Sequence, residues 1–354
     1  MQKNVRSLST LTFAAVIMLC LVVRIAPTSA TPTNSNGVYP PGLVPGPDPP
    51  LNPTALLQIG GDYTYTAAGT ALRNTGSGVI TVSFTGTVVA AYLIWGIINP
   101  DQTGLASASI NGNAITGTFQ SDDASPCWGG GNLWVYAADV TPYVTSGANT
   151  VSGFASGATD GGNPWSEYAT PLDDGASLVV VTTGAISNNI YVYTGAYTEP
   201  ASGNPLTSVF NHGAADATTA TTTFFVLDGQ LPSNYAEYNG AVIDSNAFPG
   251  SDPKTSTATW SYGSLSDTKT YSVPETLGAT SDSASIGSNS GDCLTWAAQV
   301  ISIPSTASVP PIGVPQPTNS VPEFAASPIM VAAIGAVLLA LLVRSRQNLK
   351  IHPA

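Results

Sequence analysis

The sequence predicts an all-β exported domain, a large jelly-roll or two packed β-sandwiches, between two membrane-directed ends. Three observations carry this. Short runs rich in Val, Ile, Thr, Tyr and Phe recur between Gly, Asn, Asp and Pro clusters over roughly 250 residues. No sustained helical period interrupts them. The nine Lys and Arg residues are split by position: Lys3, Arg6 and Arg24 stand at the start, Arg344, Arg346 and Lys350 at the end, and only Arg73, Lys254 and Lys269 between residues 31 and 320. That middle stretch holds 20 of the 21 acids, a net charge of 3 − 20 = −17 against −12 for the 354-residue chain. A chain this acidic, with no Lys/Arg-rich run, is not built for nucleic acid.

The elements follow in chain order. Residues 1–30 read as a secretory signal peptide: Lys3 and Arg6, an apolar run from Leu11 to Val23, then the small-residue site Thr28-Ser29-Ala30. Cys20 falls inside the apolar run and reads as part of it. Residues 31–54 are a Pro-rich linker, extended and polyproline-like.

The ectodomain is expected over 55–303. Strand-like runs lie at 78–86, 88–97, 107–115, 132–140, 176–184, 188–197, 221–229 and 293–304. Thr81-Val82-Ser83-Phe84 alternates as a half-buried strand does. Val88 to Ile98 is almost continuously apolar and predicts a central strand buried on both faces. Asn111-Gly112 is a two-residue hairpin signal. Trp95, Trp134 and Trp296 sit inside such runs and are expected in the core.

Residues 304–324 are a second Pro-rich segment, a stalk that at ~3.1 Å per residue reaches roughly 60 Å. Ala325 to Val343 is an uncharged, mostly apolar run of 19 residues, about 28 Å as a helix and close to the bilayer core. The basic residues of 344–354 place the tail in the cytoplasm and the ectodomain outside.

Two stretches resemble known families. Pro322-Glu323-Phe324, the apolar run and the basic end together resemble the tripartite sorting signals of archaeal surface proteins. That resemblance implies a sortase-like exchange of the helix for a lipid; plain single-pass anchoring stands beside it. The order Ala91–Gly96, Ile110-Asn111-Gly112, Asp139–Val144, Asn149-Thr150-Val151 and Gly175–Val181 resembles uncharacterised exported β-sandwich domains of bacterial and archaeal surface proteins. Its Asn-Gly, Asp-Val-Thr and Gly-x-Asn-Thr-Val sequence is also similar to galactose-binding-type jelly-rolls. The resemblance implies a fold and brings no enzymatic role.

Outside the signal segment only Cys127 and Cys293 remain, which in an exported chain predicts one disulfide. His212 is the only histidine between the membrane signals; it reads as a turn residue, and one His cannot supply the two or three ligands of a His-based zinc site. No G-x-S-x-G elbow accompanies it. Asp122, Asp123, Asp160, Asp173 and Asp174 fall in oxygen-rich stretches and are the candidate ligands of calcium, the one cofactor to weigh; solvated Asp-Gly and Asn-Gly turns are the other reading of the same stretches. Trp128, Trp165 and Tyr168, with Trp260 and Tyr262, are the candidate ligand-stacking aromatics. Glu167, Glu199, Glu237 and Glu275 sit in no recognisable catalytic motif.

The expectation is a membrane-anchored cell-surface protein with a structural or adhesive, non-catalytic role, contacting a glycan or another surface protein. The alternatives are a calcium-stabilised carbohydrate-binding module and an extracellular polysaccharide hydrolase. No permitted N-x-[ST] sequon is present, so no N-glycan is expected.

Overall fold

The computed structural model describes residues 50–125, 128, 131–165, 169–200 and 205–314. The signal segment, the sorting-like motif, the apolar run 325–343 and the basic tail lie outside them. Among the described residues the chain is all β, and no helix is long and apolar enough to cross a membrane.

Sixteen strands among the described residues form three sheets. They are β1 (Leu57–Ala71), β2 (Ser77–Val82), β3 (Val88–Asn99), β4 (Ser107–Ile110), β5 (Asn113–Thr116), β6 (Thr118–Ala124), β7 (Asn132–Asp139) and β8 (Gly147–Ser152). Then come β9 (Leu172–Pro200), β10 (Leu206–Asn211), β11 (Thr219–Leu227), β12 (Asn234–Tyr238), β13 (Ala241–Asp244), β14 (Ser266–Pro274), β15 (Ser281–Ser288) and β16 (Cys293–Pro304). The central sheet has eight strands in the order β14-β11-β16-β9-β3-β7-β6, with β1 also paired to β9. Two four-stranded sheets, β2-β8-β4-β5 and β10-β15-β12-β13, complete the set.

Strand β9 explains how the central sheet is organised. The sequence reads it as two runs, 176–184 and 188–197, yet it forms one strand of 29 residues. Its first part pairs with β3, from Val88↔Thr182 to Ile98↔Leu172. Its second part pairs with β16, through Val300↔Val192 to Pro304↔Asn188. Strand β1 runs antiparallel along both parts, from Leu57↔Val192 to Ala71↔Gly175, with a register shift between Asp62 and Tyr63. Two long strands therefore tie the halves together.

The alternation of side chains divides the core into three clusters. On β3, Leu93, Trp95 and Ile97 join Ile80, Ile110 and Val151 of the first small sheet. On β9 and β16, Tyr191, Tyr193, Trp296 and Ile301 join Phe210, Ala236 and Ile286 of the second. The opposite faces, Ile94 and Ile98 of β3, Val179, Val181, Ile190 and Val192 of β9, and Phe225 and Leu227 of β11, make the third cluster. A Cβ at Gly96 would stand 2.2 Å from Leu227 Cδ1, so β3 and the end of β11 approach closely only because residue 96 has no side chain. Trp95 and Trp296 are fully buried, and truncating either to Ala is worth about 3–5 kcal/mol.

Several expectations are met. β3 lies between β7 and β9 and is buried from Ala90 to Ile98. Asn111 and Gly112, both at positive φ (50° and 80°), turn β4 into β5. Trp134 departs from expectation: it is only half buried, with its indole N–H donated to Asn99 O at 2.9 Å.

The ends of the folded unit also differ from the sequence reading. Leu51 is buried and bridges Gly195, inside the stretch read as linker. Ile312 exchanges two 2.9 Å backbone hydrogen bonds with Gln58, and Tyr92 donates its hydroxyl to Gly313 O. Ser305 and Thr306 stay bonded to Ser187, Ala214 and Asp216, and Pro310 and Ile312 lie against Gln58 of β1, all inside the stretch read as stalk.

Candidate functional site

One end of the central sheet gathers charges that the hydrophobic pattern does not announce. Arg73 follows β1, Asp173 and Asp174 open β9, and Asp228 follows β11; all four are fully buried. Arg73 Nε donates to Asp174 Oδ1 at 2.8 Å, its Nη2 reaches the same oxygen, and Nη2 lies 3.5 Å from Asp228 Oδ1. Trp128 Nε1 donates to Asp228 Oδ1 at 2.7 Å, and the Arg73 guanidinium lies 4.4 Å from the Trp128 ring centroid.

Three carboxyls around one guanidinium cannot all ionise in a dry site. Burial pushes Asp173 well above the carboxylate range, with Asp174 adding to the push and Arg73 opposing it. Burial and the charge of Asp174 do the same to Asp228. Burial raises Asp174 too, but Arg73 opposes it with a charge and a hydrogen bond, so the ion pair falls to Asp174 and the protons are held more readily by Asp173 and Asp228. Asp228 adopts φ = 63°, a left-handed conformation that Asp and Asn tolerate better than most residues.

Above this cluster two loops face each other. Asn74, next to Arg73, accepts Gly161 N–H at 2.7 Å and donates Nδ2 to Gly162 O at 3.3 Å, fixing the loop 159–165. The loop 255–262 docks on it: Ser256 Oγ donates to Gly161 O at 2.6 Å, Trp260 Nε1 to the same oxygen at 3.2 Å, and Asn163 Nδ2 to Ser261 Oγ at 2.8 Å. Trp165 and Tyr262 meet at a tilt of 56° with ring centroids 4.6 Å apart, and Trp128 meets Trp165 edge-on at 5.3 Å. Tyr262 is 48% exposed, so an aromatic series runs from the buried charges to solvent. Lys254 Nζ lies 4.5 Å from the Trp260 ring centroid.

Between these loops lies a cleft of about 330 Å³ lined by Thr75, Ser77, Thr159, Asp160, Ser256 and Thr257. Its hydroxyls donate and accept, and Asp160 accepts; Trp260, Trp165 and Tyr262 belong to the same two loops, with Trp260 bonded to Gly161 of the cleft wall. A second groove of about 560 Å³, lined by Leu51, Pro53, Tyr193, Val209, Phe210 and Ile312 among others, carries no charged side chain.

Among the described residues, no three of the five aspartates singled out as calcium ligands converge on one point. Asp122 Oδ2 accepts Asn132 Nδ2 at 2.6 Å, and Asp123 Oδ2 accepts Thr198 N–H at 3.0 Å, so both fasten β6 to its surroundings. Asp160 Oδ1 closes its own turn on Gly162 N–H at 2.9 Å. Asp173 and Asp174 belong to the Arg73 cluster. Among the described residues the one group of three or more His, Cys, Asp or Glu side chains able to share an ion is His212, Glu275 and Asp282.

His212 is therefore no exposed turn residue: its side chain is 1% exposed and lies 3.1 Å from Asp282. Burial and the neighbouring Asp282 push Glu275 up to about 7, while Asp282, whose burial is outweighed by the adjacent His212 ring and the hydrogen bonds from Tyr238 and Asn239, sits at about 2. Burial opposes the His212 cation, but Asp282 and the Gly213 carbonyl raise it overall.

Of the aromatic candidates, Trp128 and Trp165 are brought together and Tyr168 lies outside the described residues. Cys293 is disulfide-bonded, and Cys127 lies outside the described residues. Sequence reasoning passed over Arg73 and Asp228. The signal available was Arg73 itself, one of three cations in a stretch of 290 residues (31–320) holding 20 acids.

No family model matches this chain, and no curated protein matches it. Among solved structures, a peptide-N(4)-(N-acetyl-β-D-glucosaminyl) asparagine amidase is 12% identical with a TM-score of 0.26, covering 70% of this chain and 99% of that one. The insecticidal delta-endotoxin Cry8Ea1 from Bacillus thuringiensis is 9% identical with a TM-score of 0.23, covering 69% of this chain and 53% of that one. Likenesses this slight carry no argument about function.

Proposed function

We propose that this chain is a membrane-anchored cell-surface protein whose ectodomain, two packed β-sandwiches, serves adhesion by holding a glycan in the cleft between loops 159–165 and 255–262. The observation that carries the reading is a hydroxyl-lined cleft built from the same two loops that bring Trp165 and Tyr262 into tilted ring contact. Sugar rings present C–H faces that pack on aromatic rings and hydroxyls that exchange hydrogen bonds with Ser, Thr and Asp. The anchor rests on the apolar run 325–343 and its basic end, with Pro322-Glu323-Phe324 as the sorting-like element.

The Asp174–Asp228 pair, a proton-sharing arrangement in kind, is fully buried beneath Trp128, which supports binding over hydrolysis. The test is a glycan array probed with the purified chain. Retention of a defined glycan class without release of reducing ends supports the reading. Reducing ends released on retained polysaccharide would move it to the hydrolase class.

A further inference from the structure

His212, Glu275 and Asp282 lie far from the cleft in sequence and use none of its residues. His212 follows β10, Glu275 follows β14, and Asp282 stands on β15. β14 edges the central sheet, while β10 and β15 are neighbours in the second small sheet. The three side chains therefore meet where one sheet layer is joined to another. One ligand atom from each lies within 4.8 Å of the other two, and all three residues are buried.

The ring of His212 is already oriented. Its Nδ1 lies 2.7 Å from Gly213 O, and a carbonyl only accepts, so Nδ1 carries the hydrogen. The bare nitrogen of the neutral ring is then Nε2, which faces the two carboxyls. Nε2 lies 3.1 Å from Asp282 Oδ2 without an aligned hydrogen bond, and neither Nε2 nor Glu275 Oε2 has a hydrogen-bond partner. Asp282 is held from behind: Tyr238 donates its hydroxyl to Oδ2 at 2.5 Å and Asn239 its amide to Oδ1 at 2.8 Å. An imidazole fixed through Nδ1 on a carbonyl, beside hydrogen-bonded carboxylates, is how metal ligands are held by their surroundings.

We infer that His212 Nε2, Glu275 and Asp282 form a binding site for one divalent transition-metal ion of the zinc class, clamping the β10–β11 and β14–β15 connections together. One imidazole nitrogen with two carboxylates suits zinc; calcium takes an all-oxygen shell of six to eight ligands. The site is closed to solvent, so its role is structural. It does not depend on the glycan reading.

The experiment uses the full chain stripped with EDTA and titrated with ZnCl2 by calorimetry, with the melting temperature followed in parallel. The expected result is one Zn²⁺ per chain and a raised melting temperature. His212→Gln and Glu275→Gln each lower the affinity more than tenfold, and Tyr238→Phe, which removes a support of Asp282, lowers it by about 10–100-fold. Should the first two variants fail to fold, X-ray absorption at the zinc edge of the wild-type chain decides. Scattering from one imidazole and from oxygen ligands supports the site. No zinc uptake, uptake unchanged in the variants, a shell without imidazole, or Ca²⁺ binding as tightly as Zn²⁺ overturns it.

Discussion

Trp128 donates its indole N–H to Asp228 Oδ1 at 2.7 Å while Arg73 lies across the face of the same indole. One tryptophan thus holds the Asp228 carboxyl by its edge and the Arg73 guanidinium by its face, and covers the buried cluster with an aromatic surface. This joins the charges at the end of the central sheet to the Trp165–Tyr262 pair above.

The members of the cluster should respond differently to loss of charge. Asp228→Asn replaces a protonated carboxyl with an amide of the same shape at a left-handed position that Asn accepts. Its unfolding free energy at pH 7 is expected within about 1 kcal/mol of wild type. Asp174→Asn leaves Arg73 buried without its ion-pair partner and should cost about 3–5 kcal/mol. Chemical denaturation of the two variants checks this; equal losses would show that the charge is not placed as described.

Stability should fall as pH rises from about 4 toward 7. Burial, together with the charge of Asp252, pushes Asp267 from 3.8 to about 7, although Ser251 and Gly250 donate to it. In that window the unfolded chain has released this proton and the folded chain retains it. A raised carboxyl pKa therefore gives stability that is complete below the unfolded value and lost through the folded one. For Asp267 alone the upper bound is ~4 kcal/mol. Melting temperatures measured from pH 4 to 8 check it; a rise across that range would contradict it.

Cys293 is buried and disulfide-bonded, and Cys127 is the partner proposed from the cysteine count. The closed loop, 166 residues from 127 to 293, would contribute about 5 kcal/mol in the chain-entropy description. Alkylation of the unfolded chain without reductant should leave both Cys127 and Cys293 unlabelled. Labelling of Cys127 alone would assign Cys293 another partner.

Much of the fold was legible because sheet burial writes a period of two, or a solid apolar run, into the sequence. Val88–Ile98 and Asn111-Gly112 are such cases. The edge strands β6 and β13 were not, since TFQSDDA is half polar and AVID is only four residues long, and neither is buried; nor was the short inner strand β12, NYAEY. The continuity of β9 was also hidden, because Gly184 and Asn188-Asn189 look like a break, whereas β1 pairs across them. The site was half legible. Aromatics and acids in loops could be named, but Arg73 meets Asp174 across 101 residues and Asp228 across 155 (228 minus 73), separations no local pattern encodes. His212, Glu275 and Asp282 are likewise joined only by the docking of β10, β14 and β15.

The central claim is glycan recognition at the cleft, and the most direct measurement is quenching of tryptophan fluorescence as an array-identified glycan is titrated into the full chain. The account predicts a saturable change that Tyr262→Ala and Trp165→Ala weaken at least tenfold, about 1.4 kcal/mol. Val209→Ala, an exposed apolar change in the other groove, should leave it untouched. Binding that survives both aromatic substitutions, or that Val209→Ala abolishes, would contradict it.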